Sequence, residues 1–258
     1  MLCDDLRDLT MAGVRWELTE LPMATIIANA AMATTQADVQ TAAAKMRRTP
    51  TSVVPPIAPI IPMSVDTAVA MATRPADMDS LCRMIAEFNH PLRAGATNVV
   101  MPHVAKNPSG LVIVTDMPGS DDDASGTILG GAAGELLDKM IGAIGLSRAT
   151  VSIVPMLFWR TPGGRTPTRE ELDLARPFVN RAIELLTPRV VLTLGTMAAA
   201  EIANAPLPRG HGVVTDIAGG VKCVPIYHPN FLLLKPNAKR DAWTALQTVQ
   251  NLLKSAEK

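Results

Sequence analysis

Cysteine is scarce and scattered. Cys3, Cys82 and Cys223 stand far apart with no C-x-x-C pair, so neither a disulfide framework nor a locally written zinc or iron–sulfur site is encoded. An excess of charge is also missing, because 24 Lys and Arg balance 24 Asp and Glu. That balance excludes a histone-like grip on nucleic acid but leaves room for a local basic stripe along a phosphate backbone. No apolar run reaches the roughly 18 residues of a membrane span. The first residues carry Asp4, Asp5 and Asp8 where a signal peptide would carry basic side chains. These absences predict a protein of the reducing cytosol, without membrane association, cofactor or metal.

What is present is a chain of 258 residues, 48% hydrophobic, enough for one domain plus an appendage. In residues 1–22, Leu2, Leu6, Leu9, Val14 and Leu18 recur at roughly helical spacing, interrupted by Gly13, which predicts a helical segment. Residues 23–75 are Ala/Thr-rich and then Pro-rich, with Pro50, Pro55, Pro56, Pro59, Pro62 and Pro75, and read as a flexible linker of partly polyproline character. Residues 76–258 read as the globular domain. Within it Leu111 to Thr115, Val151 to Met156, Val190 to Leu194 and Val221 to Tyr227 are short, rich in Val and Ile, and each followed by a helical pattern. Strands buried on both faces of a parallel sheet read this way. Helices are predicted at Asp77 to Phe88, Ala132 to Ile144, Arg169 to Leu186, Thr196 to Ile202 and Pro236 to Leu253, with start signals at Pro167-Thr168 and Pro236-Asn237. The fold class is α/β: a three-layer α/β/α domain around a central four-stranded parallel sheet. Ligands of such sheets bind outside the carboxyl ends of the strands. That edge carries Asp116 to Gly119, Pro155 to Arg165, Gly195-Thr196 and His228-Pro229-Asn230.

Three stretches at that edge carry chemistry, each with two readings. Asp116-Met117-Pro118-Gly119-Ser120-Asp121-Asp122-Asp123 is either a source of a general base or metal ligand, or a solvated acidic loop that caps the next helix. His228, held at a turn stiffened by Pro229, either faces a ligand as hydrogen-bond donor or acid/base, or is a satisfied turn histidine. The run from Phe158 to Thr168 offers Arg160, Arg165 and Arg169 to phosphates, extended by Lys235, Lys239 and Arg240, or merely decorates a helix start and packs two aromatics. His90, His103 and His211 lie in loops and read as structural or exposed.

Taken in order, these pieces resemble the uracil-DNA glycosylase superfamily, most closely its family 4 branch in an alphaproteobacterial-like form, over roughly Ser80 to Lys254. Thr115-Asp116-Met117-Pro118-Gly119 with Asp121 to Asp123 is similar to the family's Gly-Glu-Ala-Pro-Gly run. Gly126 to Leu137 is similar to its Gly-x-Pro-Phe-Val-Gly-x-Ala-Gly-x-Leu-Leu segment. Arg160 to Thr168 resembles its arginine loop, and His228-Pro229-Asn230-Phe231-Leu232-Leu233, with Lys239, Arg240 and Trp243, its His-Pro motif and terminal helix.

The resemblance implies a base flipped out of DNA and hydrolysis of its N-glycosidic bond, since the bond is inaccessible in the stack. It gives Asp116, one methylene shorter than the usual Glu, the part of positioning water and stabilising the sugar cation, and His228 that of stabilising the departing base. Met117, Pro118, Gly119, Leu129, Pro155 and Asn230 then line the pocket, while Arg160, Arg165, Lys235, Lys239 and Arg240 hold the DNA. The chain departs from the family at Leu129, where an aromatic normally stacks on the base, and at Pro155, where an Asn reads uracil's edge; proline has no donor to offer there. The family's four cluster cysteines are missing too: aligned positions offer Trp159, a non-cysteine near Ala175, and His90 or Pro91, and Cys82 alone cannot replace four, which implies no iron–sulfur cluster. Two functions follow: a divergent glycosylase for uracil or another altered base in the bacterial cytosol, or a catalytically inactive module binding nucleic acid or protein. The resemblance further implies DNA as partner and a monomer in isolation, with the N-terminal segment free for a protein partner.

Overall fold

A computed structural model describes residues 64–255, all within the second of two units, Met1–Ile60 and Ile61–Lys258. The expected N-terminal helical segment and most of the linker lie outside the described residues. Five strands build one sheet: β1 (Leu111–Thr115), β2 (Ser152–Pro155), β3 (Val190–Leu194), β4 (Thr215–Asp216) and β5 (Lys222–Ile226), in the order β2-β1-β3-β5-β4. The four apolar segments pair in parallel, in registers Ile113↔Ile153, Ile113↔Leu192 and Leu192↔Val224. The fifth strand, β4, is a two-residue antiparallel edge on β5, too short to carry a period of its own.

The helices are α1 (Val65–Ala72), α2 (Met78–Glu87), α3 (Ser120–Ser125), α4 (Gly131–Ala143), α5 (Arg169–Leu186), α6 (Thr196–Glu201), α7 (Pro229–Leu234) and α8 (Lys239–Ser255). Alternate strand residues feed two cores, because successive side chains point to opposite faces of a sheet. Val112, Val114, Val154, Val191 and Cys223 join Leu81, Ile85, Ala175 and Phe178 of α2 and α5. Leu111, Ile113, Ile153, Leu192 and Val224 join Leu137 and Ile141 of α4 and Leu246 and Val249 of α8 on the other face. Both faces of β1 and β3 are thus dry, and their sequences are unbroken apolar runs for that reason. The three-layer α/β/α domain is the expected one.

Three boundaries differ from the sequence reading. The stretch assigned to the linker ends earlier than Pro75: Ser64 accepts the Thr67 N–H at 3.2 Å, α1 follows, and Ala68 and Ala72 are buried in the first core. Arg181 on α5 fixes the exit by donating to the Pro75 carbonyl at 2.8 Å. A helix that buries alanines and exposes Val65 and Val69 shows no apolar stripe to find. Next, the acidic run forms α3 instead of a loop, with Asp121, Asp122 and Asp123 in its first turn, where carboxylates meet free N–H groups. Finally, α8 starts at Lys239, after a 3-10 turn at Pro236–Ala238.

Candidate active site

The connection after β1 leads to β2 on one side, and that after β3 leads by way of the edge strand β4 to β5 on the other. Their carboxyl ends therefore form the switch point of the sheet, where open α/β sheets bind ligands. Asp116 is the first residue beyond β1. Its Oδ1 accepts the Ala198 N–H at 2.8 Å, and the N–H groups of Thr196 and Met197 also face the carboxylate. Burial outweighs these donors and pushes the Asp116 carboxyl up to about 6. Gly195, with φ of +102°, makes the approach feasible, since a Cβ there would collide with the Asp116 carboxylate.

His228 caps α7 from the end of β5. Its Nδ1 accepts the Asn230 N–H at 3.2 Å, which leaves the ring proton on Nε2 in the neutral form. Burial brings the imidazole down to about 4, opposed by the nearby Asp122 carboxylate. His228 is therefore neutral at physiological pH, with Nε2–H as its free donor and no protein partner for it among the described residues.

Asp116 and His228 line one cavity of about 610 Å³, together with Met117, Pro118, Gly119 and Asn230. A smaller cavity of about 200 Å³ adjoins it, sharing Met117, Gly119, His228 and Asn230 and adding Leu129 and Gly130. Of the expected pocket residues, Pro155 lines neither. It is buried beside Thr115 in the sheet, and the following amide, Met156 N–H, donates to the Thr115 carbonyl at 2.8 Å. A further cavity of about 660 Å³, between α5 and the β4–β5 turn, touches the cleft through Glu201 but contains neither Asp116 nor His228.

The other acids of the run are braces. Asp122 accepts from Gly119 N–H at 3.0 Å and Gly130 N–H at 2.7 Å, tying both walls of the smaller cavity together. Asp123 accepts from Thr97 N–H at 2.9 Å and Asn98 N–H at 3.3 Å. The motif resemblance singles out Asp116, whereas composition and spacing do not, because the physical distinction lies in which carboxylate the sheet edge leaves beside β3.

The cations divide too. Arg160 lines the cleft with no side-chain partner among the described residues. Arg165 does not line it, and its guanidinium is taken up by both oxygens of Glu171 at 2.9 and 2.5 Å. Glu171 in turn caps α5 by accepting the Thr168 N–H at 2.8 Å. Lys235, Lys239 and Arg240 lie exposed at the α7–α8 corner, outside the cleft, without ion pairs among the described residues. An apolar group that the motif reading missed crowns this corner: Phe231, Leu233 and Leu234, the last 78% exposed. The signal was present as an apolar run longer than a six-residue helix can bury.

The places that the resemblance assigns to cluster cysteines hold a packed aromatic plug. His90 stacks on Trp159 with centroids 4.7 Å apart at 9°, Phe88 meets Phe178 at 4.7 Å, and Ala175 is fully buried beside them. Cys82 and Cys223 are single free thiols in α2 and β5. A cluster needs thiolates and space, so these residues do not fit one. Among the described residues no group of three or more His, Cys, Asp or Glu could hold a metal ion, and no helix is long and apolar enough to cross a membrane.

The switch point of the sheet thus places an acid, Asp116, and a histidine, His228, in the wall of one cavity. The family model for the uracil DNA glycosylase superfamily matches residues 101–247, which include both groups, and the chain belongs to that superfamily. It is similar to the type-4 uracil-DNA glycosylase of Archaeoglobus fulgidus, 35% identical over 154 residues, covering 56% of this chain and 77% of the relative. It is also similar to that of Pyrobaculum aerophilum, 32% identical over 172 residues, 62% of this chain and 86% of the relative. A third similar protein is that of Thermotoga maritima, 32% identical over 146 residues, 55% of this chain and 76% of the relative.

Proposed function

We propose that the chain is a DNA glycosylase that hydrolyses the N-glycosidic bond of a flipped uracil or other altered base in base-excision repair. The observation that carries this is the geometry: Asp116 and His228 line the same cavity, with the His228 Nε2 free and its Nδ1 held by the Asn230 N–H, and burial that favours a neutral imidazole is consistent with it. As the bond between C1′ and the base nitrogen breaks, its electron pair leaves on the base, and His228 Nε2–H donates to the developing anion. Water adds to C1′, and the Asp116 carboxylate orients it, stabilises the sugar cation and takes up the proton. An ordinary histidine, half charged near neutral pH, would donate too, but at the cost of a buried charge in the resting cleft.

The base enters the smaller cavity between Leu129 and His228, with Met117 and Gly119 in its wall. Arg160 holds a phosphate at the cleft, and Lys235, Lys239 and Arg240 hold the strand outside it. Leu234 is the apolar wedge that fills the gap in the stack when the base is out. Arg165, paired with Glu171, supports the loop that carries Arg160. Recognition of uracil is weakened because Leu129 gives no ring to stack on, and because Pro155, buried in the sheet, places no donor in either cavity. The reading of an inactive binding module rests on those two positions. One assay separates the readings: incubation with labelled oligonucleotides holding uracil or mispaired bases, followed by alkali. Strand cleavage at the altered base, lost in Asp116→Asn, supports the glycosylase. Intact strands that remain bound to the protein support the binding module.

A further inference from the structure

α7 has two ends on two different surfaces. His228 at its start faces the cleft, while Leu232 near its other end lines a separate slot of about 190 Å³ between α4 and α8. Met140 and Leu246 form part of the slot's apolar lining, Trp243, 40% exposed, is its one aromatic, and Lys139 and Lys239 complete it; no acid lines it. Lys239 and Trp243 stand at i and i+4 on α8, so they share a face. Neither lysine has an ion pair or side-chain hydrogen bond among the described residues, and exposed Arg240 follows directly. An exposed tryptophan beside unpaired cations is how sequence-tolerant single-strand sites are built, with bases stacking on the ring and phosphates on the lysines. At about 190 Å³ the slot is too small for a helix.

We infer that this slot is a second nucleic-acid subsite, in which Trp243 stacks a nucleobase flanking the excised one while Lys139 and Lys239 hold its phosphates, so that the strand leaving the cleft over α7 is read as single-stranded DNA. The inference rests on the proposal that the cleft takes DNA, and it selects the substrate class: a flanking base held in a duplex cannot turn out onto Trp243, because it is paired, stacked on the next pair and covered on its gap side by Leu234, whereas a single strand leaves it free to turn.

The full chain is titrated with a labelled, uracil-free single strand of about 16 nucleotides and with the same sequence as duplex. Trp243→Ala weakens single-strand binding roughly tenfold and leaves duplex binding unchanged, and Trp243→Phe keeps most of the affinity. Lys239→Ala lowers the salt slope for the single strand by about one. In the wild-type chain the single strand quenches tryptophan emission, and this quenching is absent in Trp243→Phe, a readout that a general loss of stability does not produce. The proposal is overturned if Trp243→Ala, folded by thermal melt, binds the single strand as tightly as wild type, or loses single strand and duplex equally. It is also overturned if a poly-glutamate peptide, and not DNA, saturates the quenching, which would assign the slot to an acidic protein partner. Failure of the glycosylase reading is distinguishable, since quenching by uracil-free DNA would persist while no base is released from any substrate.

Discussion

The chain uses the same local device twice. His90-Pro91 and His228-Pro229 both put a histidine at the start of a helical turn with proline in its first positions, and both Nδ1 atoms accept the N–H two residues on at 3.2 Å. Burial lowers the pKa of both rings. They part at Nε2. That of His90 bonds the Glu171 carbonyl at 3.0 Å, and its ring, 1% exposed, is stacked on Trp159; that of His228 opens onto a cavity. A motif fixes a tautomer, and the neighbourhood of the second nitrogen decides whether that tautomer is spent on the fold or kept for a substrate. Stability and chemistry are correspondingly separated: in the aromatic corner both ring nitrogens of His90 are hydrogen-bonded and the ring is stacked, while the cleft holds a carboxylate that burial disfavours.

The largest effect expected is on the chemical step. Asp116→Asn or His228→Ala lowers kcat by about 10² to 10⁴, measured by single-turnover base release, while His90→Ala leaves kcat per folded molecule unchanged. Gly195→Ala joins the first group, since its Cβ takes the space of the Asp116 carboxylate. Equal rate losses in His90→Ala and His228→Ala would break the comparison.

Next in size is the reverse experiment on stability. His90→Ala opens a cavity against Trp159 and strips the Glu171 carbonyl of its donor, which costs about 2 to 4 kcal/mol in denaturant unfolding. Asp116→Asn has the opposite sign. The folded-state pKa of Asp116, about 6, is above its ordinary value of 3.8, so its favourable contribution is full at low pH and lost as pH rises through 6. Removing the charge therefore stabilises the fold at pH 8 by up to about 3 kcal/mol, reduced where water reaches the carboxylate, and the gain vanishes below about pH 4.

A smaller effect sharpens the assignment of protonation states. The acid limb of kcat/KM should fall near pH 6, where Asp116 takes up its proton, and should persist in an active His228 variant, because burial keeps His228 neutral down to about 4. A limb near 6.5 that disappears in an active His228 variant would assign the titration wrongly.

The smallest contrast lies between two arginines five residues apart. Arg160→Ala lowers the salt slope of DNA binding by about one and leaves the melting temperature in place. Arg165→Ala lowers the melting temperature through the lost Glu171 pair, with a slope near that of wild type. Identical slopes in both variants would show that Arg165 leaves Glu171 for a phosphate when DNA binds.

Much of the molecule was determined by sequence alone. The four parallel strands announce themselves because β1, β2, β3 and, beyond Lys222, β5 are buried on both faces, a state that favours Val, Ile and Leu. α5 is legible from its Thr168 and Glu171 capping box. The edge carrying Asp116 and His228 follows from strand direction, a rule of topology that needs no coordinates. Tertiary structure decided what local pattern cannot express. Asp116, Asp121, Asp122 and Asp123 are alike in local pattern, and the physical reason that the motif's first acid differs is its place beside β3 and Gly195. Arg165 looks as free as Arg160 until Glu171 is seen beside it. Pro155 sits where an edge reader is expected, yet the sheet buries it away from both cavities. Sequence records which groups a chain carries and how often they face one way. Which of them remains unpaired depends on partners distant in the chain, and packing alone brings those together.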